Sequence, residues 1–338
     1  MSDTHRNSHN AFRKMGIVTI VAVYLLILVG GIVRSTGAGM GCPDWPQCFG
    51  SWVPPTDVAQ LPANYQEIYK DRGYADVEFN VYKTWTEYIN RLIGVLIGIF
   101  IFLTLLLSVP YLKTDKTVFF LSLVSFILVG FQGWLGSVVV ATNLAPWMVT
   151  VHMLVAIVLV FLLIYTVARS FTGKITLATI EGKSRINKIL YFLLASSVLQ
   201  IVLGTQVREA IDEIAASLSG NGRDTWIEQL GLGFYIHRSL SSLILAAHLY
   251  LLYLLKRNTI KNPVITKYTV ALVSIVLLEI LAGMGMAYLG IPAFLQPIHL
   301  LLAVAAIGIQ FVLLLFINYD VVFVKSAAKT FNQAYSYK

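Results

Sequence analysis

The sequence predicts an all-α integral membrane protein, and its composition is the first reason. Of the 338 residues, 57% are hydrophobic and only 12% are charged, and the mean hydropathy is +0.74. Such a composition excludes an ordinary water-facing globular surface. The apolar runs are about 20 residues long and lack the alternation typical of barrel strands. Because a spanning backbone must satisfy its own hydrogen bonds, these runs predict transmembrane helices.

Eight apolar runs are predicted to cross the membrane, arranged as two pseudo-symmetric four-helix bundles. Their approximate limits are 15–33, 88–109, 117–140, 147–168, 189–207, 230–255, 268–289 and 298–318. The predicted divisions of the chain are a cytoplasmic tail at 1–14, a first unit with a long outer loop at 15–170, a cytoplasmic linker at 171–188, a second unit at 189–320 and a cytoplasmic tail at 321–338. An even number of spans leaves both termini on one side.

The distribution of charge indicates which side that is. The termini and the loops on their side carry 17 Lys and Arg and 4 Asp and Glu, whereas the opposite side carries 8 and 12. Cytoplasmic loops collect positive residues, so both termini are predicted to be cytoplasmic. The formal net charge of +8 is explained by this sorting. The lipid bilayer is therefore an expected partner, and nucleic acid is not.

An internal repeat supports the division into two units. Asn90 and His152 are 62 residues apart, and so are His237 and His299. The shift of 147 residues that relates these pairs also aligns Arg91 with Arg238, Gln132 with Glu279 and Gly136 with Gly283. The first spans of the two units align with a different shift, which matches Val29-Gly30 and Val33-Arg34 with Leu203-Gly204 and Val207-Arg208. The first unit has the longer outer loop.

Three histidines lie near the outer ends of spans 4, 6 and 8, namely His152, His237 and His299. Polar side chains at this depth are costly, so they are candidates for function, although hydrogen bonding within the bundle is an open alternative. A zinc site normally needs three or four ligands, and no His-Glu-x-x-His pattern is present. A haem needs two axial ligands in an apolar slot. His237 and His299 are therefore predicted to bind a haem iron.

Four arginines at the outer mouths of spans 1, 2, 5 and 6 are candidates to bind haem propionates. They are Arg34, Arg91, Arg208 and Arg238. A guanidinium at the polar boundary matches the two oxygens of a carboxylate. Ordinary interfacial placement of long basic side chains is the alternative.

Other polar residues are open to two interpretations. Cys42 and Cys48 lie in the outer loop, where a disulfide is expected, either structural or redox-active. Glu279 lies in mid-span and would be a proton relay or a protonated, hydrogen-bonded acid. His248 follows His237 by eleven residues on nearly the same helix face, and a structural role is predicted for it.

At this point the residues resemble a known family. The resemblance rests on the Glu87-x-x-Asn90-Arg91 phrase, on the histidines in spans 4, 6 and 8, and on the stretch Arg34-Ser35-Thr36-Gly37-Ala38-Gly39-Met40-Gly41-Cys42-Pro43-Asp44-Trp45-Pro46-Gln47-Cys48. Together these are similar to the haem A synthase family, and the similarity covers essentially all eight spans.

The resemblance implies an enzyme that oxidises the C8 methyl group of haem O to the formyl group of haem A by successive hydroxylations. It implies haem b as a cofactor between His237 and His299, and substrate haem in the first unit. Glu87 matches the family's glutamate on span 2, and Cys42 and Cys48 match its outer-loop cysteines, which implies a disulfide involved in electron transfer. It also implies a bacterial inner membrane location, haem O synthase and cytochrome oxidase assembly factors as partners, and leaves an oligomer open.

The chain departs from the family pattern at Asn90, where a histidine is usual. Asparagine cannot replace imidazole as a strong iron ligand, so the substrate haem is predicted to have one protein ligand, His152. Glu87 lies one helical turn before Asn90 and can face the same pocket. We expect it to orient or deprotonate a water, or to stabilise positive charge at the methyl carbon. An ion pair with Arg91 is its alternative role.

Two other functions remain open from the sequence. A membrane-bound b-type electron carrier would share the histidines and arginines, but it gives no reason for Glu87 beside an incomplete ligand set. A transporter with two related halves is the other alternative. Four spans in each half make the repeat parallel. Alternating access would need a span broken at mid-membrane, and none stands out in the sequence.

Overall fold

The structure is a computed structural model and describes residues 3–172, 181–258 and 263–325. Within these residues there is no β-strand, and the all-α prediction is confirmed. Eight long helices follow one another along the chain. They are α1 Asp3–Ser35, α2 Val81–Ser108, α3 Lys116–Ala141, α4 Pro146–Ser170, α5 Lys183–Ser217, α6 Leu232–Asn258, α7 Pro263–Tyr288 and α8 Leu295–Ile317.

Each of these eight helices of the described residues is long and apolar enough to cross a membrane, which agrees with the eight predicted spans. Their limits are wider than the apolar runs. Helix α1 already begins at Asp3, within the predicted tail 1–14, and α5 continues to Ser217 instead of ending at 207. Hydropathy marks the part of a helix suited to hydrocarbon, whereas backbone hydrogen bonding continues into polar turns. Part of the predicted linker, 173–180, and of the predicted tail, 326–338, lies outside the described residues.

Helix α2 begins earlier than predicted, and this changes the setting of the Glu87 phrase. Its first residue is Val81, and the side chain of Asn80 accepts a hydrogen bond from the Lys83 amide at 3.0 Å. Such a cap satisfies one of the amide groups that a helix start leaves without a partner. Glu87 is therefore two turns inside a helix, where its side chain is directed by the helix and not by a loop.

The described chain forms two compact units. Unit 1 contains the residues up to Val160 together with Ile291–Leu301, and unit 2 contains the remaining described residues. In unit 1, α1 packs on α2, and α2 packs on α3. A Cβ atom on Gly31 would lie 2.9 Å from Cβ of Pro297, so only glycine allows the start of α8 to approach α1 this closely. The predicted functional division at 15–170 and 189–320 stays a prediction.

Unit 2 contains a core of buried apolar side chains. Helix α5 packs on α6, and α6 packs on α7. The fully buried side chains of its core include Ile186, Leu190, Leu193, Leu251, Leu255, Ile265, Leu272 and Leu313. Because lipid is as apolar as these side chains, close packing and buried hydrogen bonds are what bring such helices together.

Candidate functional site

Glu87 is buried in unit 1 and has two partners. Its side chain forms an ion pair with Arg91, one helical turn further along α2, and Arg91 Nε donates to Oε1 at 3.1 Å. The backbone amide of Cys42 donates to Oε2 at 2.9 Å. Only 3% of Glu87 is exposed. The ion pair that the sequence left as an alternative is therefore present, and it is joined to the outer loop.

Arg91 holds the polypeptide between the two cysteines. Its Nη1 group donates to the carbonyl oxygens of Asp44 at 2.8 Å and Gln47 at 2.9 Å. Its Nη2 group donates to Glu87 and, at 3.5 Å, to the Cys42 carbonyl. With the Nε bond, all five N–H groups of the guanidinium have acceptors within the protein. A carboxylate of a ligand would have to displace one of them.

The loop of residues 42–48, named here the cysteine loop, is fastened to α2. Cys42 and Cys48 form a disulfide with their Cα atoms 4.9 Å apart, and both are fully buried. Thr84 Oγ1 donates to the Gly41 carbonyl at 2.8 Å, and a Cβ on Gly41 would lie 2.3 Å from the Lys83 carbonyl oxygen. Only glycine permits this approach. The redox role of the disulfide stays a prediction.

Aromatic side chains cover the cysteine loop. The ring of Phe49 makes edge contacts with Tyr65, Tyr69, Tyr74 and Phe79. The Tyr74 hydroxyl donates to the Met40 carbonyl. Burial, and next the negative charges of Glu87 and Asp44, raise the pKa of Tyr74 above its ordinary value. This hydroxyl therefore stays protonated and remains a donor.

Asn90 and His152 are the predicted substrate-haem residues of unit 1. Among the described residues, Asn90 Oδ1 and His152 Nδ1 are buried atoms without a hydrogen-bond partner. Unpartnered buried polar atoms are uncommon and costly in a native structure. Gln132 Nε2 donates to the backbone carbonyl of His152 at 3.0 Å. This bond does not involve the imidazole ring. A buried imidazole with an unpartnered nitrogen suits an iron ligand. Asn90 does not supply a second strong ligand.

His237 occupies a comparable setting on α6 of unit 2. Gln200 Nε2 donates to its backbone carbonyl at 2.7 Å. A Cβ on Gly204 would lie 3.3 Å from His237 Cε1, so the glycine leaves the ring its space. His299 lies in segment 291–301, which belongs to unit 1. The joint ligation of one haem by His237 and His299 stays a prediction.

The other predicted arginines differ in their surroundings. The Arg238 side chain is exposed, with its guanidinium 5.3 Å from the ring centre of Tyr235 and 5.8 Å from that of Phe234. Arg208 forms an ion pair with Asp212 at 2.8 Å. Arg34 lies half-buried in the last turn of α1. All three remain candidates to bind propionates, and a propionate at Arg208 would have to share the guanidinium with Asp212.

His248 has partners that the sequence did not reveal. It is fully buried, and its Nδ1 lies 2.7 Å from the Ile244 carbonyl, which fixes this nitrogen as the donor. Its Nε2 therefore accepts from Gln310 Nε2 at 3.0 Å, and Gln310 also donates to Ser197 Oγ at 2.9 Å. This network supports the predicted structural role. The available signal was Gln310, a polar residue well inside the apolar run of span 8.

Comparison with known proteins agrees with the resemblance drawn from the motifs. A family model described as cytochrome oxidase assembly protein matches residues 13–311. A heme A synthase of Shewanella oneidensis is 30% identical over 217 residues, which cover 64% of this chain and 62% of that protein. One of Shouchella clausii is 26% identical over 145 residues, 43% of this chain and 40% of the relative.

A third relative extends over more of the chain. The heme A synthase of Flavobacterium johnsoniae is 25% identical over 313 residues, which cover 84% of this chain and 91% of that protein. The chain thus spans less than two thirds of the first two relatives and most of the third. Since the family model runs from the first helix into the last, the chain belongs to the haem A synthase family of cytochrome oxidase assembly proteins.

Proposed function

We propose that this protein oxidises the C8 methyl group of haem O to the formyl group of haem A by successive hydroxylations, with haem b as its electron-transfer cofactor. Membership of the family and the names of the relatives support the overall reaction. One observation supports assigning the reaction to unit 1: the asymmetry between Asn90, which cannot ligate iron strongly, and His237 at the repeat-related position.

Haem b is proposed to bind through His237 and His299, with Arg238 and Arg208 toward its propionates. When bound, this group supplies one-electron transfer. With both imidazoles as ligands, the iron would suit electron transfer. The space that Gly204 leaves beside His237 supports the ligand role of that ring.

The substrate haem O is proposed to bind in unit 1 with His152 as its one protein ligand. The unpartnered Nδ1 of His152 and Oδ1 of Asn90 support this. Asn90 would supply no second strong iron ligand there. Arg34 and Arg91 are the proposed residues for the substrate propionates, and a propionate at Arg91 would have to displace one of its present acceptors.

Glu87 is proposed to act mainly by position. Both oxygens of its carboxylate already accept hydrogen bonds, one from Arg91 and the other from the Cys42 amide. It therefore ties the cysteine loop to the turn of α2 that carries Asn90. The predicted catalytic contact with substrate would require one of these bonds to be exchanged during the reaction.

The test is co-expression with a source of haem O, followed by extraction and chromatography of the haems. We expect haem A from the wild-type protein. Protein that binds haem b but yields neither haem A nor a hydroxylated haem would support the electron-carrier function instead.

Variants at Glu87 refine this test. Glu87→Gln should reduce haem A at least tenfold, because it removes one partner of a buried charge pair. Glu67→Gln is the matched control, since that acid forms an exposed pair with Lys70 in the same outer loop. Unchanged haem A in a folded Glu87→Gln protein would reject any role for this carboxylate.

The eight helices indicate a multi-pass membrane protein. The bacterial inner membrane, cytoplasmic termini and two pseudo-symmetric bundles complete the proposal. Haem O synthase and cytochrome oxidase assembly factors are the proposed partners, and the charge distribution supports the orientation. Reporter fusions at the two termini, active only in the cytoplasm, test it.

A further inference from the structure

We infer that Gln132 and Gln200 are positioning residues for His152 and His237. In each unit a buried glutamine on one helix donates through Nε2 to the backbone carbonyl of the histidine on the next helix, at 3.0 Å and 2.7 Å respectively. Gln132 is 8% exposed and Gln200 is 7% exposed. The same bond to the same atom of a candidate iron ligand therefore occurs twice.

A glycine completes each arrangement, four residues after the glutamine. A Cβ on Gly136 would lie 3.8 Å from His152 Cε1, and one on Gly204 would lie 3.3 Å from His237 Cε1. Residues four apart lie on the same face of a helix. Each Gln–Gly pair, 132 with 136 and 200 with 204, thus holds the histidine backbone at one level and leaves room for the imidazole one turn away.

The bond fixes the helix that carries the ligand. A carbonyl oxygen has two lone pairs, of which the helix uses one, and the glutamine uses the other. Rotation or sliding of the histidine helix would break this buried bond. Because one residue of slippage moves a side chain by 1.5 Å along the helix and about 100° around it, the bond restricts where the imidazole can place a metal.

The glutamines are costly if they serve only stability. Among the described residues, Oε1 of Gln132 and Oε1 of Gln200 are buried without a hydrogen-bond partner. A leucine in either place would avoid that cost. The first helix of unit 1 has a leucine, Leu26, at the related position.

The glutamine and the histidine are absent together. The shift of 174 residues that aligns Gly30 with Gly204 places Leu26 where α5 has Gln200, and Asn90 replaces the histidine of α6. A Cβ on Gly30 would meet no heavy atom of the described residues within 4 Å, which agrees with the lack of an imidazole there. At this pair of positions the glutamine is absent where the histidine is absent, whereas on α7, before His299, the repeat places Glu279 where α3 has Gln132.

This inference rests on the proposed haem-binding roles of the two histidines, and its test measures haem binding instead of haem A formation. Full-length Gln200→Leu and Gln200→Met proteins are purified in detergent, and transfer of haem b to excess apomyoglobin is timed together with the low-spin optical and electron paramagnetic resonance spectra. We expect about tenfold faster transfer in both variants, as for other groups that orient metal ligands. Methionine fills a similar volume but donates no hydrogen bond.

Gln310→Leu is the matched control, because it removes another buried glutamine of unit 2 that contacts Ser197 and His248. It should transfer haem b at the wild-type rate. Wild-type transfer and spectra in Gln200→Met would overturn the inference, since packing alone would then explain the residue. An equal effect in Gln310→Leu would overturn it as well.

The outcomes separate this inference from the proposed function. Faster transfer in Gln200→Met, with no haem A from the wild-type protein, would reject the function alone. Haem A formation with unaltered haem b binding in Gln200→Met would reject the inference alone. A wild-type protein that binds no haem b would overturn both.

Gln132 is tested in the same preparation by the amount of haem O that copurifies. Gln132→Met should retain several-fold less haem O, with the haem b transfer rate unchanged. If Gln132→Met weakened haem b as much as Gln200→Met does, the effect would not be local to each histidine, and the inference would fail.

Discussion

The turns of α2 and α6 that carry Arg91 and Arg238 are related in sequence but differ in use. On α2, Arg91 is 12% exposed at its side chain and pairs with Glu87, and its remaining N–H groups bind carbonyls of the cysteine loop. On α6, Arg238 is exposed beside the rings of Phe234 and Tyr235. The N–H groups of Arg91 thus bind other groups of the protein, whereas the side chain of Arg238 is exposed.

The difference follows from the outer loop. In unit 1 the long connection between α1 and α2 folds back onto α2, where Thr84 and Arg91 bind its carbonyls. An arginine under a folded loop can satisfy all its N–H groups with backbone oxygens. A repeated motif thus fixes the position of a residue, whereas the neighbouring loop decides its partner.

The largest expected effect concerns His237 and Asn90, which directly precede the two compared arginines. His237→Ala should abolish the low-spin haem b signal in the reduced spectrum, because one axial ligand is removed. Asn90→Ala, at the repeat-related position, should leave that signal unchanged. An unaltered signal in His237→Ala would mean that the cofactor site is misplaced.

The second prediction concerns the two arginines. Arg91→Ala leaves Glu87 buried without its partner, which costs about 3 kcal/mol and should raise the opening of the cysteine loop roughly a hundredfold. We expect faster reduction of the disulfide, measured by thiol labelling after a reductant pulse. Arg238→Ala should label at the wild-type rate, and equal rates in both variants would remove the distinction between the arginines.

The third prediction compares two glycines. Gly204→Ala forces the His237 ring to move by a few tenths of an ångström, since the new Cβ would lie 3.3 Å from Cε1. We expect about 1 kcal/mol of destabilisation, of the order found for overpacked sites, and a shifted haem b spectrum. Gly30→Ala should change neither, because space is open there. Similar spectra for the two variants would contradict the assigned ring position.

The last prediction concerns Tyr74, a residue of the long outer loop of unit 1. The native pKa lies above the ordinary 10.0, so the native state favours the protonated form. The protonated Tyr74 hydroxyl therefore contributes stability that is fully present below pH 10 and is lost as the pH rises further. Tyr74→Phe should lower stability by about 1 kcal/mol at neutral pH and flatten the alkaline loss. Thermal unfolding at several pH values measures this, and an unchanged alkaline slope would contradict it.

The sequence was sufficient for several local features. The Glu87–Arg91 pair follows from a spacing of four residues on one helix face, which the sequence displays directly. The helix limits were less accurate, because polar turns such as those after Arg208 in α5 continue the helix without any hydropathy signal. The partners of Arg91 in the cysteine loop were not predicted, since a loop's path depends on many weak contacts.

The sequence by itself determined the class of protein and the eight membrane-length helices of the described residues, because the transfer of about 20 apolar residues into lipid is a local property that adds along the chain. It also marked the candidate histidines by their depth. Only the tertiary structure decided which polar groups meet: Gln200 with His237, 37 residues apart, Arg91 with Gln47, 44 apart, and Gln310 with His248, 62 apart. Such pairs depend on the rotation and register of packed helices, which no single apolar run encodes.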